Sequence, residues 1–209
     1  VIYAESMAEY ILSVNDKNNY SSLPLNGVFL LSDFQNRAEK GVYAISVRYE
    51  DHGCEGIPAI ESSKIQFLRA PYIQAEDYDI SKNIEQQRPF GGSFAFVSSL
   101  KNGSYVGYEN IDLNGVTEIS LKIMPISGGK IALFQGGLKG RPLAELYIPS
   151  SDKNVSWEEE NFVEYRFAIN EPKDGLDDLY IIFTDAGDTK VNMNLDRIVF
   201  KQNKIVSFQ

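Results

Sequence analysis

The chain has 209 residues, 43% hydrophobic and 12% aromatic, with 16 glycines and a formal net charge of −9. That length holds one β-sandwich and a smaller unit, and is too short for a large multidomain enzyme. The acidic balance argues against nucleic acid and anionic membrane surfaces, and no apolar run approaches the roughly 18 residues of a membrane span. The lone Cys54 cannot form an internal disulfide, and the absence of Cys-x-x-Cys-His excludes a covalently attached haem. His52 and Cys54 read as two residues of a polar loop rather than a catalytic pair. Val1 opens the chain with no basic-then-apolar leader, which reads as a mature chain or a cut piece of a longer one.

In chain order, the spacing of Met7, Tyr10, Ile11 and Val14 predicts a helix over residues 4 to 14, with Glu5 in the first turn. The run Asn15-Asp16-Lys17-Asn18-Asn19 ends it. Helix and linker make a first segment, 1–19. Residues 20–71 follow as a small β-domain, with strands expected at Val28-Phe29-Leu30-Leu31, Val42 to Tyr49 and Lys64 to Arg69. A core of that size is marginal, so the unit reads as a rigid spacer.

Residues 72–209 form the main domain, all-β by its alternating runs. Strands are expected at Ile73 to Tyr78, Phe94 to Val97, Tyr105 to Tyr108, Ile119 to Ile123, Lys130 to Phe134, Leu143 to Ile148, Glu164 to Phe167, Leu179 to Phe183 and Asn194 to Phe200. Turn markers such as Asn102-Gly103, Asn114-Gly115, Gly128-Gly129 and Asp174-Gly175 separate them. Many short strands in this rhythm predict a jelly-roll β-sandwich with a smaller β-unit and a short N-terminal helix.

Several quoted stretches, in order, carry a resemblance. Ile73-Gln74-Ala75-Glu76-Asp77-Tyr78 opens the series and Asn194-Leu195-Asp196-Arg197-Ile198-Val199-Phe200 closes it. Between them stand Asn102 to Leu113, Gly128 to Leu133, Gly140 to Ala144, Trp157 and Gly175 to Phe183. The whole segment resembles the family 6 carbohydrate-binding modules, β-sandwiches with a structural calcium where the two chain ends meet. The segment from Gly41 to Arg69 is similar to the small β-domain preceding such modules. Glu5 to Val14 resembles the last helix of a c-type cytochrome domain, as in multidomain secreted bacterial proteins. A helix capping the β-domain is the competing reading.

The resemblance implies a polysaccharide as partner, bound in a cleft at the loop end of the sandwich. Such a site needs an aromatic face for the C–H face of a pyranose, beside planar amides or carboxylates for its hydroxyls. Trp157, in a polar loop, takes the stacking place, the alternative being a ring folded back as a core plug. Asn194 supplies the amide. Phe96 takes the second stacking place, or Ser98 or Ser99 stands there if no gap is allowed, and Tyr105 is a further candidate for the lining. Gln74, Glu76 and Asp196 are the carried-over calcium ligands, with carbonyls or water completing six to eight oxygens. Gln74 and Glu76, two apart on one strand, would leave the same face.

Hydrolysis of a glycoside needs two carboxylates roughly 5–9.5 Å apart. The run Glu158-Glu159-Glu160 reads instead as a solvated loop, and nothing pairs an acid with an apolar pocket. The expectation is a non-catalytic module that keeps an appended catalytic or redox domain on its polysaccharide, in a secreted, periplasmic or cell-surface protein with a further domain upstream. A structural spacer or adhesion domain without sugar binding, or a part of a glycoside hydrolase, are the alternatives.

Overall fold

The computed structural model describes residues 9–14, 17–22, 42–50, 53–89, 94–151, 156, 158–184 and 192–202. The chain divides into two units, Val1–Ala70 and Pro71–Gln209. Strands β1 (Glu9–Val14), β2 (Lys17–Ser22), β3 (Val42–Glu50) and β4 (Glu61–Arg69) belong to the first. They form one antiparallel sheet in the order β2-β1-β3-β4.

The helix expected over residues 4 to 14 is therefore corrected: Glu9–Val14 is a strand, pairing with β2 from Glu9↔Ser22 to Val14↔Lys17 and with β3 at Tyr10↔Val47 to Leu12↔Ile45. A short apolar run does not distinguish a buried strand from a helix by period, and three isolated helical turns are marginal. Two neighbouring strands satisfy the same backbone along its length. The likeness to a cytochrome helix falls with it, and β2 crosses the expected 19/20 boundary. Val28 to Leu31 and His52 lie outside the described residues.

The second unit is built from two antiparallel sheets. Its strands are β5 (Tyr72–Gln74), β6 (Ile80–Lys82), β7 (Ile84–Gln87), β8 (Phe96–Ser99), β9 (Ser104–Asp112), β10 (Val116–Pro125), β11 (Gly129–Gln135), β12 (Ala144–Ile148), β13 (Val163–Ala168), β14 (Leu176–Thr184) and β15 (Met193–Gln202). One sheet runs β13-β10-β15-β8-β7, with β5 also paired to β15; the other runs β12-β11-β14-β9-β6. This is the expected jelly-roll β-sandwich.

Strict alternation builds its core. Ile119, Leu121 and Ile123 of β10 meet Val106 and Tyr108 of β9, Ile131 and Leu133 of β11, and Leu179, Ile181 and Phe183 of β14, all of them fully buried. Each such side chain contributes about 1.5–3 kcal/mol by leaving water. Gly128, at φ +71, makes the turn between β10 and β11, where a Cβ would stand 2.5 Å from the Ser150 nitrogen.

The two sheets are also tied by a polar contact. The hydroxyl of buried Tyr108 donates to the carbonyl of Ala75, just past β5, at 2.9 Å. Tyr108→Phe is expected to leave that carbonyl short of a partner and lower stability by about 1–3 kcal/mol in urea unfolding with an unchanged slope.

Strand β15 organises one end of the sandwich. One of its edges pairs with β10 throughout; the other is shared in succession by β8 (Asn194↔Ser98, Leu195↔Val97) and β5 (Arg197↔Gln74 to Val199↔Tyr72). The β10 register jumps from Lys122↔Arg197 to Ile123↔Leu195, so Asp196 is the extra residue of a β-bulge. The bulge resets the alternation: Met193 and Leu195 enter the core before it, Ile198 after it.

Candidate functional site

The first half of β15 carries a polar line on the side away from the core. Asn194 is 1% exposed, and Ser98 Oγ donates to its Oδ1 at 2.7 Å. Among the described residues, Asn194 Nδ2 is buried with no hydrogen-bond partner. The next serine works on the backbone: Ser99 Oγ accepts from Met193 N at 3.0 Å and donates to Met193 O at 3.3 Å. Two register pairs are all that join β8 to β15, and this side-chain clamp continues the ladder where they stop.

Beside Asn194 lies a small apolar cluster of Phe96, Met124 and Phe162, with Phe94 and Ile126 packed on it. Phe96 is 0% exposed, its ring 5.3 Å from Phe162 and 5.9 Å from Phe94. It therefore offers no face to a ligand, which corrects its place as the second stacking aromatic. Its role is to anchor the segment after Trp157, together with Phe162 and with Asn161, whose amide donates to Ser156 O at 3.0 Å. Trp157 itself lies outside the described residues. The acidic run behaves as a solvated segment: Glu158, Glu159 and Glu160 are exposed, and Glu159 Oε1 takes a bond from Lys122 Nζ at 2.9 Å.

Glu76 is not on a strand with Gln74, which corrects the alternation argument. Strand β5 stops at Gln74, and a turn closed by Asp77 N to Gln74 O at 3.1 Å carries Glu76. The turn is pinned by Ala75 N donating to Asp196 O at 2.9 Å. Among the described residues, Glu76 Oε2 is buried without a hydrogen-bond partner. Burial raises the Glu76 carboxyl, Asp77 and Asp196 add to the rise, and a backbone bond and Arg88 oppose it. Burial likewise raises Asp196, whose side chain is 4% exposed, against the pull of Lys122 and Arg197. Both cations stand 3.7 Å from its Oδ2.

This corner fits a hard cation on one count: an orphaned carboxylate oxygen on half-buried Glu76, within electrostatic reach of buried Asp196. No group of three or more His, Cys, Asp or Glu gathers among the described residues. Neutral oxygens, from carbonyls, the Gln74 amide or water, would complete the shell.

Tyr105 is placed elsewhere. It projects from the other sheet, between buried Ser104 and Val106, opposite Ile182. There its ring packs edge-on against Tyr180 at 6.1 Å. Phe134 stands opposite Tyr180, and Tyr147 on β12 is 63% exposed. The Tyr180 ring lies over Gly107, where a Cβ would come within 2.8 Å of it, and its hydroxyl donates to Asp178 Oδ2 at 3.3 Å. This outer face thus joins half-exposed aromatics to a carboxylate. Sequence reading missed Phe134, Tyr147, Asp178 and Tyr180; the alternation of Asp178, Tyr180 and Ile182 against Leu179, Ile181 and Phe183 was the available signal.

The sequence model of carbohydrate binding module family 6 matches residues 74–202. The chain belongs to that family. A curated relative, endo-1,4-beta-xylanase A of Thermoclostridium stercorarium, is 29% identical over 132 residues, 61% of this chain but 18% of the enzyme. The chain thus spans a minor part of that relative's length. Among solved structures, CsCBM6-3 from Clostridium stercorarium, in complex with cellobiose, superposes with a TM-score of 0.51 at 24% identity, covering 63% of this chain and 93% of that one. A family 6 module from Clostridium cellulolyticum, in complex with xylose, gives 0.53 at 20% identity, covering 63% and 96%. A β-1,3-glucan binding module from Bacillus halodurans gives 0.52 at 22%, covering 62% and 94%. These share its fold. Residues 74–202 are therefore a carbohydrate-binding module, a non-catalytic kind of domain.

Proposed function

We propose that the module binds a neutral polysaccharide at the loop end beside Asn194 and thereby holds an appended catalytic domain of a longer, secreted protein against its substrate. The single observation that carries this reading is the Asn194 amide, with one end fixed by Ser98 and the other buried and, among the described residues, unpartnered. Trp157, a few residues before the anchored Phe162, supplies the stacking face. Calcium is held by Glu76 and Asp196 with the Gln74 amide oxygen, and its charge offsets the repulsion of the two acids. The β-unit before the module serves as spacer. Binding through few contacts is weak for each module, and tethering makes it useful by raising the catalytic domain's effective concentration.

Affinity electrophoresis of the chain in gels containing xylan, a soluble cellulose derivative or β-1,3-glucan tests the reading. Retardation by one of these polymers is the expected result. Free migration in all of them would turn the assignment to a structural spacer. A second reading is favoured by the Tyr105, Phe134 and Tyr180 face. If sugar lies there, Tyr180→Ala lowers affinity roughly 10- to 100-fold, whereas a loop-end site leaves it unchanged.

A further inference from the structure

We propose that Ser98 is a positioning residue for ligand recognition: its hydroxyl pins the Asn194 amide so that the NH2 group, and not the carbonyl oxygen, is held for the sugar. The inference rests on the loop-end reading above. A terminal amide can turn over about its last bond, exchanging donor for acceptor, and only its neighbours decide which end points where. The structure sets Asn194 Oδ1, and not Nδ2, against the Ser98 hydroxyl at 2.7 Å, so that Ser98 donates and Oδ1 accepts. Ser99 fixes the Met193 backbone from the core side, so the residue preceding Asn194 is also held.

What is left is a donor unspent among the described residues. Asn194 is 1% exposed, and among the described residues its Nδ2 meets no acceptor. A buried N–H without a partner is costly, and the cost is recovered when an incoming oxygen accepts from it. The matching group is a hydroxyl or ring oxygen of a pyranose. Specificity at this point thus belongs to two residues from strands far apart in sequence, one that touches the sugar and one that aims it.

Isothermal titration with soluble xylan, and with cello-oligosaccharide, would compare Ser98→Ala, Ser98→Val, Ser98→Thr, Asn194→Ala and the double variant Ser98→Ala/Asn194→Ala. Ser98→Ala and Ser98→Val are expected to weaken binding about fivefold, the worth of one ordinary hydrogen bond. Ser98→Thr keeps the hydroxyl at the same volume as valine and should stay within about twofold of the parent. In the Asn194→Ala background, Ser98→Ala should do nothing more. Full affinity in Ser98→Ala with binding lost in Asn194→Ala would overturn the positioning role alone; binding that survives Asn194→Ala would overturn the loop-end reading beneath it. Side-chain amide signals in 15N-asparagine spectra need no ligand. The pair missing from Asn194→Ala should move in Ser98→Ala and Ser98→Val and hold in Ser98→Thr. An unmoved pair in Ser98→Ala sinks the proposal whatever the titrations give.

Discussion

Trp157→Ala is expected to cost the module about 2–4 kcal/mol of glycan binding, a loss of roughly 30- to 800-fold that ends retardation in affinity gels. The size follows from how few other surfaces the loop end can offer. Phe96, the second aromatic of that end, is buried among Phe94, Met124 and Phe162 and cannot stack on anything from solvent. Ser98 and Ser99, the other residues that could occupy its place in the chain, have no ring and spend their hydroxyls on Asn194 and on the Met193 backbone. One aromatic then supplies nearly all the apolar contact with the pyranose, and its removal leaves hydrogen bonds that exchange almost evenly with water. Thermal unfolding of the same variant separates this from the alternative. A solvent-facing tryptophan can go with little change in melting temperature. A core plug would instead cost about 3–5 kcal/mol of stability and leave affinity in the surviving folded protein near that of the parent.

Calcium should raise the melting temperature of the module by about 10 °C over the chelated protein when supplied at about 100 times its dissociation constant, equivalent to about 2.7 kcal/mol. In the chelated state the half-buried Glu76 carboxyl feels the charge of buried Asp196, and Glu76 Oε2 has no partner among the described residues. Lys122 and Arg197 stand near Asp196 but at 3.7 Å, beyond hydrogen-bond length. A divalent ion would remove the repulsion and give the orphaned oxygen a ligand bond. Glu76→Gln makes the experiment decisive. It relieves the like-charge repulsion, so the chelated protein should melt no lower than the parent, while the calcium increment should vanish. Equal melting with calcium and with chelator in the parent would show the pair to be balanced by Lys122 and Arg197 alone.

Where one face of a strand was apolar and the other polar, the sequence was readable. Ile119, Leu121 and Ile123, or Leu179, Ile181 and Phe183, announce both the strand and its buried side, and the sandwich follows from them. Three kinds of feature were not readable. Glu9–Val14 has an apolar pattern compatible with either period, and pairing with β2 and β3 settled it as a strand. Glu76 sits past the end of β5 because a turn back from Gln74 to Asp77 competes with strand extension, and nothing in the alternation of Gln74 and Glu76 marks that end. Phe96 reads equally well as a platform or a plug, since only the arrival of Phe162 from about 65 residues away in sequence decides which. The Asn194 amide was named on resemblance alone; Ser98, which donates to it, is brought to it by the register of β8 against β15.

Strand β5 lies antiparallel on the middle of β15, with Tyr72 opposite Val199 and Pro71 O receiving Phe200 N at 2.8 Å. The polypeptide accordingly enters and leaves the module at the same end of one strand pair. Within any longer polypeptide that continued on both sides, a module so wired would add little to the distance between the flanking segments. Tension on the chain would open the pair one hydrogen bond at a time, as a zipper, towards Ala75 and Asp196. A cation held at that point would act as the rivet at the far end of the zip.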